Sequence, residues 1–356
     1  MEKKEAAVAA PKQQHKDIVF GANPQMDGDA LLAELQQLEA QAVSEPTQCG
    51  TLTEQSAYET IVTTVATPPR RPLYKRLWHE GEMACLFGDT NCGKSILAVQ
   101  IADEIVRAGE RILYVDLELS REQFTDRYSD PATGDVCAFP LGFRRAEISP
   151  QSFTYDGKFE ESLLKDIERT ALAAQCTVII IDNLTYLCSN MESGRDASQF
   201  MFRLRELKVK WGWSILIIAH TPKRPAYAPI TLNDLAGSRK LAIFFDAIFA
   251  LGVAGNNSDG RRYIVQLKCR KGEYTHDSSN VKVCHIVKDG PWLHLAEDGT
   301  AAERDLLSAA DPAGQRVRDL RAQGMKQADI AATLTAEGIP TKQYQVSRIL
   351  HRKYDA

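Results

Sequence analysis

Nowhere in its 356 residues does the chain carry an uninterrupted apolar run of the ~18 residues that a membrane-crossing helix needs. The opening residues, Met1 to Asp17, lack the apolar stretch of a secretory signal, so the sequence predicts a cytoplasmic protein with no membrane partner. Paired CxxC spacings are missing among the eight cysteines. That excludes the common zinc-binding spacings and predicts reduced thiols without a disulfide framework. An excess of basic residues is missing as well: Lys and Arg number 43 against 47 Asp and Glu, for a formal net charge of −4. Any contact with nucleic acid must therefore use local patches, not a general positive coat.

Internal repeats and low-complexity tracts are also absent, yet composition divides the chain into three. Residues 1–70 are acidic and rich in Ala, Gln, Glu and Thr. They predict a largely disordered segment with one short helix over Asp29–Val43. Residues 71–300 alternate short β-branched runs with amphipathic stretches, the pattern of a mostly parallel sheet with helices on both faces. Residues 301–356 form a linker followed by a basic, helix-rich tail.

What is present begins with "GDTNCGKS", residues Gly88, Asp89, Thr90, Asn91, Cys92, Gly93, Lys94 and Ser95, between the apolar run Met83–Phe87 and a helical run from Ile96. This is G-x-x-x-x-G-K-[ST] in its required setting of strand, loop and helix. Gly88 and Gly93 let the backbone curl so that successive N–H groups converge on phosphate oxygens, with the positive end of the following helix behind them. Lys94 is placed to reach the β- and γ-phosphates of ATP, and the Ser95 hydroxyl to hold Mg²⁺.

A cradle needs a second magnesium contact. "TVIIIDNL" supplies Asp182 at the carboxyl end of a buried strand, a position that taken alone suits a helix cap or a turn equally well. A base for the attacking water comes from "YVDLELS", which offers Asp116 and Glu118. Alternation puts both on one face of a strand, with Glu118 nearer its end. A solvated strand end is the plainer alternative.

The ordered set "GDTNCGKS", "YVDLELS", "VIIIDNL", "SILIIAH" and "IVQLKCRKG" resembles the RecA-like ATPases, and within them the DnaB and plasmid RepA hexameric helicase branch. The resemblance covers about residues 75–290. It implies an α/β fold, a RecA-like P-loop core with a mostly parallel twisted sheet flanked by helices. It implies ATP and Mg²⁺ as cofactors, with Ser95 and Asp182 on the metal and Glu118 as catalytic base. It also implies a sensor of the γ-phosphate in His220, and a homo-hexamer in which Lys268 and Arg270 reach the ATP of the neighbouring subunit. Such a finger offsets charge that spreads over the γ-phosphate oxygens as the bond breaks. An exposed basic edge strand is the simpler reading of Lys268 and Arg270.

Two loops follow the catalytic strands where RecA-like proteins bind single strands. The first, "YLCSNMESGRDASQ", has Arg195 as its one cation. The second, "TPKRPAYAPITLNDLAGSRK", offers Lys223 and Arg224 beside Tyr227 for DNA. The tail predicts three helices: Ala313–Ala322, Gln327–Glu337 with Ile330, Ala331 and Leu334 inward, and a third opening at Thr341 with Val346, Ile349 and Leu350 inward. It resembles a small all-α helix-turn-helix module, which puts Lys342, Gln343, Gln345 and Arg348 near base edges of duplex DNA. A three-helix cap with a solvated basic face has the same appearance.

Together these features predict an oligomeric, ATP-hydrolysing, DNA-binding motor, a helicase or DNA-remodelling ATPase of a plasmid or mobile element. The helix-turn-helix, and the lack of the N-terminal helical domain of DnaB, point to an ATPase recruited to a specific DNA site. The alternatives are a nucleotide-switched DNA-binding regulator or mobilisation accessory protein without unwinding activity, and a KaiC-like or signalling domain that engages protein.

Overall fold

The computed structural model describes residues 46–65, 68–149, 159–183, 196–222, 224–225, 228–235, 239–255, 260–270, 272–307 and 312–350. The expected helix over Asp29–Val43 lies outside them. The chain divides after Pro69 into two units.

In the first unit, strands β1 (Thr47–Cys49) and β2 (Leu52–Glu54) pair antiparallel around Gly50, whose φ of 63° suits a tight turn. Helix α1 (Ala57–Val65) starts at a capping box: the Ser56 hydroxyl accepts the Glu59 amide at 3.1 Å, and the Glu59 carboxylate accepts the Ser56 amide at 3.1 Å. The reading of residues 1–70 as largely disordered overlooked this hairpin and helix. The Ser-x-x-Glu start at 56–59 was the legible signal.

The second unit opens with the small hairpin β3 (Pro72–Tyr74) and β4 (Trp78–His79). The α/β series follows: β5 (Met83–Gly88), α2 (Lys94–Arg107), β6 (Ile112–Asp116), α3 (Arg121–Arg127), β7 (Phe143–Glu147), α4 (Phe159–Ala173), β8 (Val178–Asp182), α5 (Asp196–Trp211), β9 (Ser214–His220), α6 (Arg239–Ala242) and β10 (Ala247–Val253). Strands β11 (Arg261–Cys269), β12 (Val281–Asp289) and β13 (Trp292–Ala301) lead to helix α7 (Glu303–Leu307).

These strands form one nine-stranded sheet in the order β13-β12-β11-β10-β5-β9-β8-β6-β7. From β10 to β7 every neighbour is parallel, and β10 through β13 are antiparallel. The α/β expectation of a mostly parallel sheet flanked by helices is met. Burial of β5, β6 and β8 on both faces explains their unbroken apolar runs. Alternate residues then serve opposite layers. Met83, Cys85 and Phe87 pack with Leu164, Ile167 and Leu204 of α4 and α5, whereas Ala84 and Leu86 pack with Leu97, Ile101 and Ile105 of α2.

Three further helices close the described chain: α8 (Pro312–Ala322), α9 (Gln327–Ala336) and α10 (Gln343–Leu350). They bury a small core of Val317, Leu320, Ile330, Ala331, Leu334 and Val346. The apolar positions expected to face inward do so, although the third helix starts two residues after Thr341. Among the described residues, no helix is long and apolar enough to cross a membrane.

Candidate nucleotide site

The sheet register creates the site. The cradle strand β5 and the acid strand β8 are separated by one strand, β9, and β5 pairs on its other side with β10. Gly88 lies opposite both His220 of β9 and Leu251 of β10. A Cβ on Gly88 would stand 2.3 Å from the Leu251 carbonyl oxygen, so only glycine lets β10 come this close. Asn91 and Gly93 turn through positive φ, 63° and 107°, and Gly93 begins α2. Lys94 is 5% exposed. Its ammonium donates to the carbonyls of Gly88 at 3.0 Å and Asp89 at 2.7 Å, inside the bend formed by its own loop. A buried ammonium served by two neutral carbonyls is short of negative charge, and a phosphate supplies it.

Asp182 ends β8 with no exposed surface. Tyr114 donates its hydroxyl to Oδ2 at 2.7 Å, and Oδ1 is buried without a hydrogen-bond partner. Burial pushes the Asp182 carboxyl up, while hydrogen bonding from Ser95 and Tyr114 pulls it down. Ser95 thus lies beside this carboxylate without giving Oδ1 an ordinary hydrogen bond. An orphaned carboxylate oxygen next to a hydroxyl, behind a phosphate cradle, fits a divalent cation of the Mg²⁺ kind.

Glu118 lies past the end of β6, which stops at Asp116. This corrects the expectation that Asp116 and Glu118 share one strand face. Asp116 is structural: it accepts the amides of Glu118 at 3.2 Å and Leu119 at 2.9 Å, and pairs with Arg145 at 2.9 Å. Those bonds aim Glu118 toward the ends of β8 and β9. The Asn183 side-chain amide donates to Glu118 at 2.5 Å and stands 3.0 Å from Nε2 of His220, which is itself 3.8 Å from Glu118. His220, then Asn183 and Lys94, hold the Glu118 carboxyl below its usual range, so it stays ionised. The sequence pattern singles out Asp182 and not Asn183, although "IIIDN" places Asn183 directly after it.

Lys268 and Arg270 sit at the other end of the sheet. Lys268 pairs in register with Ile248, and Arg270 donates its amide to Asp246, whose own amide bonds Met83 at the start of β5. Lys268 donates to the Ala242 carbonyl at 2.7 Å, and Arg270 bonds Asp246 at 3.0 Å and the Ile243 carbonyl at 3.1 Å. Burial, then the Arg270 charge, lowers the Lys268 pKa. Along β5, Lys268 stands three residues short of Gly88, about 10 Å at strand rise, and Arg270 at the level of Met83, about 16 Å.

The DNA candidates part company. The Arg224 side chain is 5% exposed, with its guanidinium 3.4 Å from Asp89 and its Nη1 on the Ala228 carbonyl. The expectation that it meets DNA is corrected here: the carboxylate of the phosphate loop draws it inward. Lys223, Tyr227 and Arg195 lie outside the described residues. Lys342, Gln343 and Gln345 are exposed at the start of α10, with the Gln345 side chain accepting the Lys342 amide at 2.7 Å. The Arg348 side chain is not among those described.

Residues 55–226 match the family model described as an AAA domain. No curated protein matches the chain. Among solved structures, a KaiC-like protein from the hyperthermophilic archaeon Pyrococcus horikoshii OT3 aligns with 64% of this chain and 100% of its own, at 16% identity and a TM-score of 0.46.

Proposed function

We propose that this chain, whose core is a RecA-like P-loop ATPase domain, is an oligomeric ATP-hydrolysing motor that acts on DNA, a helicase or DNA-remodelling ATPase of the kind a plasmid or mobile element carries. The cradle binds the triphosphate, and Lys94 exchanges its loop carbonyls for phosphate oxygens. Ser95 and Asp182 hold Mg²⁺, which draws charge from the β- and γ-phosphates when bound. Glu118 takes the proton of the attacking water, with Asn183 fixing its direction and His220 beside it to sense the γ-phosphate. Proton transfer from water to Glu118 leaves hydroxide to attack phosphorus as the bond to ADP breaks.

One observation carries the oligomeric reading. Arg270 lies a strand length from its own cradle, and both it and Lys268 are held by residues 242–246 at the far end of β5, which supports a finger that serves the γ-phosphate of another copy. Six copies in a ring is the arrangement the sequence resemblance favours. DNA binding rests on the exposed start of α10, read as a helix-turn-helix recognition helix, and on Lys223. A second reading has its own support: Arg224 is turned away from solvent, which weakens the core's claim on DNA and favours a nucleotide-switched DNA-binding regulator.

ATP turnover measured without DNA, with single-stranded DNA and with duplex separates these. The motor reading expects several-fold stimulation, and unwinding of a forked duplex in step with hydrolysis. A rate indifferent to DNA, with duplex still bound through α10, replaces it by the regulator. Loss of neither binding nor turnover on deleting residues 312–356 removes the role of the C-terminal module.

A further inference from the structure

Helix α7 is only five residues long, yet it brings a buried carboxylate into the core. Glu303 is 1% exposed, and it is the residue at which the sheet ends and the path to the three C-terminal helices begins. Its Oε1 accepts the Ile230 amide at 2.9 Å and the Tyr263 hydroxyl at 2.9 Å. Leu306 and Leu307 anchor the helix in the core beneath, and the Leu306 carbonyl accepts the amide of Gly255 at 2.9 Å. The Arg224 charge lies close enough to Tyr263 and Glu303 to pull both pKa values down against the larger effect of burial.

Arg224 then reaches the phosphate loop. It pairs with Asp89, the residue after Gly88, and Asp89 also accepts the Thr221 hydroxyl next to His220. Glu303, Tyr263, Arg224 and Asp89 therefore follow one another from the exit helix to the cradle, with hydrogen bonding at the first step, charge proximity at the second and an ion pair at the third. Burying the Glu303 carboxylate and most of the Arg224 guanidinium is costly, and apolar packing would stabilise the same junction better. Arg224 Nε is buried without a hydrogen bond, so the network is also incompletely satisfied. Stability alone gives no reason for it.

We propose that Glu303 is a positioning residue for the nucleotide site: it holds Tyr263 and the Ile230 amide so that Arg224 restrains Asp89. The inference rests on the ATPase reading and deepens it by naming a restraint on the phosphate loop that starts at the exit helix. The coupling is reciprocal, so occupancy of the cradle by ATP also alters the hold on Glu303.

The test uses the full chain with Glu303→Gln, Tyr263→Phe and both together. Amide hydrogen exchange of the phosphate loop without nucleotide reads the restraint directly. Each single change is expected to speed that exchange roughly fivefold, and the double change to add little, because both cut one path. KM for ATP is expected to rise by a similar factor with kcat within about twofold. Unaltered phosphate-loop exchange in both single variants, even with residues 228–235 loosened, overturns the proposal. Tyr263→Phe removes one hydroxyl and keeps the ring, so the test survives if Glu303→Gln does not fold. A chain that never hydrolyses ATP but shows the exchange effect disposes of the ATPase reading and leaves the coupling in place.

Discussion

Asp182 illustrates how a residue suited to catalysis burdens the fold that carries it. Its carboxylate has no exposed surface, one hydroxyl donor in Tyr114, and an oxygen without a hydrogen bond. Burial raises its pKa, so the folded chain binds a proton there that the unfolded chain has released. Folding stability from this group therefore falls as pH rises from the ordinary aspartate range through the raised value, and the penalty is complete above it. Asp182→Asn keeps an acceptor for Tyr114 and removes the charge. The variant is expected to abolish hydrolysis while gaining about 1–2 kcal/mol in nucleotide-free urea unfolding at neutral pH. The gain should vanish on acidification, because the wild-type carboxyl is then neutral as well. A variant that is less stable at neutral pH would show that the charge is already compensated. Glu118 presents the opposite case. The nearby His220 and the hydrogen bond from Asn183 depress its pKa, so its charge is supported and needs no cation to settle it.

Elements bring these side chains together, and here the legible and the hidden separate. The parallel core was readable because "MACLF", "TVIII" and "SILIIA" are apolar without alternation, as strands buried on both faces must be. The three helices past Pro312 were readable from Gly324, Gly338 and the spacing of Ile330, Ala331 and Leu334. Arg224 was misread because a cation in a proline-rich loop looks solvated, and only the fold reveals that Asp89 lies beneath it. Glu303 was overlooked for the same reason: the Tyr263 it serves is forty residues away. Local patterns record which face is apolar, but not which distant partner a polar group finds. Gly88 joins the two kinds of information. The motif required glycine there for phosphate, and the pairing of β5 with β10 requires it again for packing. Gly88→Ala is therefore expected to cost roughly 1–3 kcal/mol in urea unfolding, because its methyl meets backbone that cannot swing aside. A variant as stable as the parent would mean that β10 yields easily, and that the glycine serves the nucleotide alone.

At the scale of the whole molecule, the separation of Lys268 and Arg270 from their own cradle makes a prediction that no single chain can satisfy. Arg270→Ala leaves an intact cradle without a finger, and Glu118→Gln leaves an intact finger beside a disabled cradle. Each variant alone is expected to lose most ATP turnover, by about 10²-fold or more. Mixed and allowed to exchange subunits at equal amounts, they generate sites in which an Arg270→Ala cradle meets the Arg270 of a Glu118→Gln neighbour. Random assembly makes such sites about one in four, so turnover should recover to roughly a quarter of the wild-type rate. If the two residues instead served one chain, mixing could only average two inactive proteins. The amount recovered also reports on coordination: well below a quarter, with recovery still present, would mean that active sites need functional neighbours around the ring. No recovery, with subunit exchange verified by light scattering or fluorescence transfer, would return Arg270 to the simpler role its bonds to Asp246 and Ile243 describe, a latch at the end of its own strand.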